Sequence, residues 1–129
     1  MNFELTEEQK MIKQMARDFA QNELLPVAAE LDEKSEFVSR HLPKMAELGL
    51  MGMMVPEEFD GSGLDTLSYI VALEEISAGC ASTAVTMSVN NSLYCGPVAK
   101  YGTTEQKKKY LTDFASGKKL GAYCLSEPG

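Results

Sequence analysis

At 129 residues and 14.1 kDa, with 44% hydrophobic and 24% charged residues, the chain is long enough to bury one core and too apolar to be disordered. A formal net charge of −7 and a pI near 4.7 argue against nucleic acid or an anionic membrane surface as a partner. The charge is uneven: residues 1–99 hold 6 basic and 16 acidic side chains, residues 100–129 hold 6 and 3, and a solvated lysine face is the simplest account of that positive last quarter.

Helical signals run along almost the whole chain. Thr6 with Gln9 three residues on is a capping-box pattern, and Ile12, Met15, Ala16 and Phe19 keep helical spacing until Pro26 is expected to break the run. A short helix follows over residues 27–31, and another from near Arg40 to Leu48 with Gly49 as its left-handed C′ residue. An apolar run over residues 50–55 ends at Pro56, and residues 57–63 have loop composition. Asp65 or Thr66 caps a helix with an expected stripe of Tyr69, Ile70, Leu73 and Ile76, stopping at Gly79. Residues 81–93 carry no charge and are expected to form a central helix. Pro97 opens a short turn of helix closed by Gly102, and Thr103 with Gln106 repeats the capping box for a last helix to about Ser116, followed by Gly117. Residues 120–125 then read as a strand running into a turn. A lone strand cannot satisfy its own backbone, so a partner beyond Gly129, or in another chain, is expected.

Cys80, Cys95 and Cys124 form no CxxC pair and are odd in number, which predicts reduced thiols in a reducing, cytoplasmic compartment. Met1-Asn2-Phe3-Glu4 places acid before base with no apolar run behind it, unlike a signal peptide. Residues 76–99 are uncharged, but serines, threonines, asparagines, Gly79, Gly96 and Pro97 interrupt them, so no membrane insertion is expected.

Few residues point to catalysis by themselves. His41 is the single histidine and, with no neighbouring ligand, is expected to be a surface or capping residue and not part of a metal site. Glu57-Glu58 and Glu74-Glu75 are adjacent pairs that diverge by about 100° on a helix, so a solvated face is expected for both. Gly61-Ser62-Gly63 lacks the rest of a phosphate loop. Val85, Val89 and Leu93 fall at i, i+4 and i+8 on one face of the uncharged helix, as core or as a ligand wall. In Tyr123-Cys124-Leu125-Ser126-Glu127-Pro128-Gly129, Pro128 biases Glu127 to extended geometry and Pro-Gly favours a tight turn. Backbone amides at such a strand end, beside the Ser126 hydroxyl, suit the edge of a planar heterocycle.

At these residues the chain resembles the acyl-CoA dehydrogenase family. The run from Gly121 to Gly129 is similar to the first half of that family's signature, in which an aromatic residue, Leu or Val, and Ser or Thr precede Glu-Pro. Leu5-Thr6-Glu7-Glu8-Gln9, the Glu47–Gly52 run, the Pro56–Gly63 run and Tyr101-Gly102-Thr103-Thr104-Glu105-Gln106-Lys107 are similar to its N-terminal helical domain, in the same order and spacing, with the short-chain, butyryl-CoA type nearest.

The resemblance implies an all-α N-terminal bundle over residues 1–117 and the truncated first strand of a middle β-domain over 118–129. It implies bound FAD, a homotetramer, a short-chain acyl-CoA substrate and electron-transferring flavoprotein as electron acceptor. In the family a glutamate removes the α-proton and a β-hydride passes to flavin N5, giving a trans-2-enoyl-CoA; that glutamate would lie beyond Gly129, leaving no catalytic residue in this chain. Tyr123, Cys124, Leu125, Ser126, Glu127, Pro128 and Gly129 would form the cofactor-binding segment, with Ser126 near N5, and Val85, Val89 and Leu93 the substrate-binding wall of the acyl pocket. Without the rest of the protein, the 129 residues alone are expected to be inactive. Two rivals stand beside this reading: a non-catalytic helical interaction module, and a related acyl-CoA oxidase or other flavoprotein.

Overall fold

The computed structural model describes residues 3–128, and all regular structure among them is helical. α1 (Glu7–Phe19) starts where expected: Thr6 Oγ1 accepts the Gln9 N–H at 3.2 Å and Gln9 Oε1 accepts the Thr6 N–H at 3.0 Å. Gln9 is itself buried and donates Nε2 to Asp65 Oδ2 at 3.2 Å, so the starts of two helices are tied together. Asp65 is the cap of α4 (Thr66–Gly79), accepting the Ser68 N–H at 2.6 Å.

Pro26 does not break the first helix. A π turn (Ala20–Leu24) leads directly into α2 (Leu25–Glu33), with the Leu25 N–H bonded to the Ala20 carbonyl five residues back. The widened turn absorbs the proline, whose ring would otherwise crowd the carbonyl four residues before it. The same device recurs: α5 (Ala81–Ser88) runs through a π turn (Val89–Cys95) into α6 (Gly96–Tyr101), with Pro97 in its first turn. A 3₁₀ turn (Val38–His41) precedes α3 (Leu42–Glu47), which ends at Gly49 with φ +72°. α7 (Thr104–Tyr110) begins with the second capping box and is separated at Leu111 from α8 (Thr112–Ala115), so the last helix is two pieces.

α1 packs along α4, and α4 against α5. Leu24, Met45, Leu50, Met51, Met53, Ile76 and Met87 fill the main core, each contributing about 1.5–3 kcal/mol relative to exposure. A second cluster gathers Val55, Phe59, Cys95, Leu111 and Ala115. The apolar run that follows Gly49 is a buried series of turns, and its backbone is satisfied by side chains: Asn91 Nδ2 donates to Leu50 O at 2.8 Å, Asn90 Nδ2 to Met51 O at 2.7 Å, and Asn91 Oδ1 accepts the Met53 N–H at 2.8 Å.

Residues 120–125 lie in no helix or strand, and the described residues hold no second strand that could pair with them. Three further expectations are corrected. His41 stands at the N-cap position of α3, one of its two expected places, but it is buried and its side chain makes no cap bond, the ring lying edge-on to Phe19 at 6.5 Å between centroids. Glu75 is buried where α1 crosses α4 and is held by Arg17 there, while Glu74 stays exposed. Ile70 points outward, since the buried face of α4 is Tyr69, Val71, Ala72, Ile76 and Gly79.

Candidate functional site

The uncharged stretch has two faces. Thr83, Ala84, Met87, Asn90, Asn91 and Cys95 point inward, whereas Val85 is 61% and Leu93 44% exposed and Val89 is partly buried. The helix is therefore central on one side only, and the Val85–Val89–Leu93 stripe forms an apolar face turned away from this chain's core. Val85 also lines a cleft of about 570 Å³ between the end of α2 and the start of α5, with Leu31, Phe37 and Cys80 as apolar walls and Asp32 and Glu36 as carboxylates. Val89, Leu93 and the C-terminal segment take no part in that cleft.

The C-terminal segment is anchored and then released. The Lys119 N–H bonds to Asp113 O at 2.9 Å and Lys119 Nζ pairs with Asp113 Oδ2 at 2.7 Å, which holds the Asp113 carboxyl below its usual range. Gly121 is buried; its N–H donates to Asn90 Oδ1 at 2.8 Å and its α-carbon lies against the Tyr94 ring, where a β-carbon would collide. Tyr94 in turn stacks on Phe114 at 4.2 Å between centroids. Beyond this point Tyr123, Cys124, Leu125, Ser126, Glu127 and Pro128 are all exposed, Tyr123 by 52% and Leu125 by 78%; Gly129 lies outside the described residues.

Tyr123 and Leu125 offer apolar surface, Ser126 a hydroxyl, and residues 122–128 lie in no helix or strand. The structure does not bring them and the Val85–Val89–Leu93 face into one closed pocket. It does join the two through Asn90 and Tyr94, which lie on the stripe's own helix and meet Gly121.

Asn90, Asn91 and Tyr94 are the residues that sequence reasoning passed over. The available signal was a pair of adjacent amides inside an otherwise uncharged helix. The remaining chemistry is sparse. Burial pushes the Cys95 thiol up to about 12, which leaves it inert. No group of three His, Cys, Asp or Glu suited to a metal occurs among the described residues, and none of their helices is long and apolar enough to cross a membrane.

Comparison with known proteins gives consistent results. Residues 6–118 match the family described as acyl-CoA dehydrogenase, N-terminal domain. The short-chain specific acyl-CoA dehydrogenase, mitochondrial, of Bos taurus is 56% identical over 126 residues, covering 98% of this chain and 31% of that protein. A solved chain from work on the electron transferring flavoprotein of Acidaminococcus fermentans is 46% identical with a TM-score of 0.94, covering 99% of this chain and 34% of that one. An acyl-CoA dehydrogenase of Bacillus anthracis complexed with FAD is 41% identical with a TM-score of 0.88, covering 97% and 21%. The chain thus spans about a third or less of the proteins it matches.

Proposed function

Since this chain belongs to the acyl-CoA dehydrogenase family as its N-terminal helical domain, we propose that it serves an FAD-dependent enzyme that oxidises a short-chain acyl-CoA to the trans-2-enoyl-CoA. The observation that carries the reading is the 56% identity, along 98% of the chain, with a short-chain specific acyl-CoA dehydrogenase.

On this reading Val85, Val89 and Leu93 wall the acyl end of the substrate, and their bulk limits its length. Tyr123, Leu125 and Ser126 lie along the cofactor, with the Ser126 hydroxyl hydrogen-bonding its edge. FAD, when bound, supplies the hydride acceptor; the protein's part is to orient and to exclude water. The exposure of both residue sets suits them to surfaces that cofactor and substrate cover. A homotetramer, electron-transferring flavoprotein as redox partner and a cytoplasmic location with reduced thiols complete the proposal. Residues 1–129 alone are proposed to be inactive, because the proton-abstracting glutamate is no part of the domain they match.

The test is acyl-CoA oxidation by the FAD-loaded, full-length gene product with an artificial electron acceptor. Butyryl-CoA is expected to be turned over at least about tenfold more efficiently than octanoyl-CoA, and the 129-residue chain to show no turnover. A preference for octanoyl-CoA would overturn the chain-length reading, and stoichiometric hydrogen peroxide from dioxygen would favour an oxidase.

A further inference from the structure

We propose that Asn90 is a positioning residue that couples the acyl-facing helix to the flavin-facing segment; this rests on the functional reading above. Its carboxamide is wholly buried and uses both ends. Nδ2 donates to Met51 O at 2.7 Å and to Phe114 O at 3.0 Å, and Oδ1 accepts the Gly121 N–H at 2.8 Å. One side chain thus fixes three segments, and the third is the root of residues 122–128. With both donors spent on carbonyls, the amide cannot flip, so its oxygen faces the Gly121 N–H in a single orientation. The Tyr94 ring closes the other side of Gly121, and no side chain fits there.

Asn90 also sits one residue beyond Val89 and three before Leu93, on the inward side of the helix whose outward side is the proposed acyl wall. A displacement of this helix by substrate would reach Gly121 directly, and a displaced Gly121 would re-aim Tyr123 and Ser126. Asn91 provides a natural comparison. It is equally buried and also makes three hydrogen bonds, to the Met53 N–H and to the Leu50 and Met87 carbonyls, and none reaches the C-terminal segment.

Three variants of the full-length protein test the coupling: Asn90→Ala, Asn91→Ala and Gly121→Ala. Two readouts are needed, FAD affinity with the visible flavin absorption band, and the rate of trypsin cleavage after Lys119. Asn90→Ala and Gly121→Ala are expected to weaken FAD binding at least about tenfold, shift the band and speed cleavage after Lys119 about tenfold, whereas Asn91→Ala lowers stability and stays within about twofold of wild type in both. Should Asn90→Ala fail to fold, the milder Asn90→Ser decides by the same two readouts, because Gly121→Ala collides with the Tyr94 ring whatever Asn90 does and tests only whether Gly121 aims the segment. Equal effects of the two asparagine variants would overturn the proposal, as would a Gly121→Ala protein with wild-type FAD affinity. A wild-type protein that binds no FAD would remove the flavin reading instead, and the trypsin contrast would then decide by itself whether Asn90 anchors the segment.

Discussion

Arg17 holds Glu75 through two parallel hydrogen bonds, Nε to Oε2 at 2.9 Å and Nη2 to Oε1 at 2.8 Å, and so fastens α1 to α4 where the two helices pack along each other. Lys13 adds a looser contact to the same carboxylate at 3.6 Å. The pair is one-sided: Glu75 is buried while the Arg17 side chain is 44% exposed, so losing Arg17 leaves a buried carboxylate short of a partner, whereas losing Glu75 leaves the guanidinium to water.

Because Gln keeps one acceptor oxygen and Arg17 stays in contact with water, Glu75→Gln is expected to cost only about 0.5–1.5 kcal/mol at pH 7, measured by urea unfolding. The hydrogen bond from Arg17, ahead of any other cause, lowers the Glu75 pKa from its ordinary 4.5. Its contribution is present above pH 4.5 and is lost as the pH falls through the lowered folded value. A wild-type protein with no steeper loss of stability below that pH than Glu75→Gln would contradict this account.

His41 works at a higher pH. Burial, followed by the nearby Arg40 charge, lowers its pKa from 6.5, so below that pH the unfolded chain takes up a proton that the folded chain refuses. Stability should hold level from pH 8 to 7 and decline as the pH falls below about 6.5 toward the folded value. Thermal melts of His41→Gln should lack that slope, and an unchanged slope would place its origin elsewhere.

The three cysteines should separate by reactivity. Cys124 is exposed, while Cys80 and Cys95 are buried and the Cys95 thiol is held protonated up to about pH 12. Brief iodoacetamide treatment at pH 8, read by peptide mass spectrometry, should label Cys124 and spare Cys95 until denaturant is added. Early labelling of Cys95 would mean that the Leu111–Ala115 cluster opens readily.

Both capping boxes should register in stability. Thr6→Ala and Thr103→Ala each remove an acceptor for a first-turn amide and should cost about 1 kcal/mol. Thr6→Ala should cost the more, because Gln9, which completes that box, also reaches Asp65 at the start of α4. A melting temperature unmoved by Thr6→Ala would show the box to be redundant there.

How much of this was legible follows from the distance over which each feature is determined. Thr6 with Gln9, Thr103 with Gln106, Asp65 before α4 and Gly49 after α3 were all readable, since each is a contact within about four residues that the chain makes with itself. The C-terminal run from Tyr123 to Gly129 was assigned to a flavin only through its resemblance to a family signature, and that role stays a proposal. Pro26 misled because a π turn, which lets a helix continue past proline, leaves no simple pattern in residue types.

The sequence by itself thus determined where most helices start. Only the tertiary structure decided which polar groups are buried and what they hold. Arg17 meets Glu75 58 residues away, Asn91 meets Met53 across 38, and Asn90 meets Gly121 across 31. Charge and amide patterns cannot announce such pairs, because a glutamate or asparagine reads as solvated until another segment arrives to desolvate it and supply the missing hydrogen bonds.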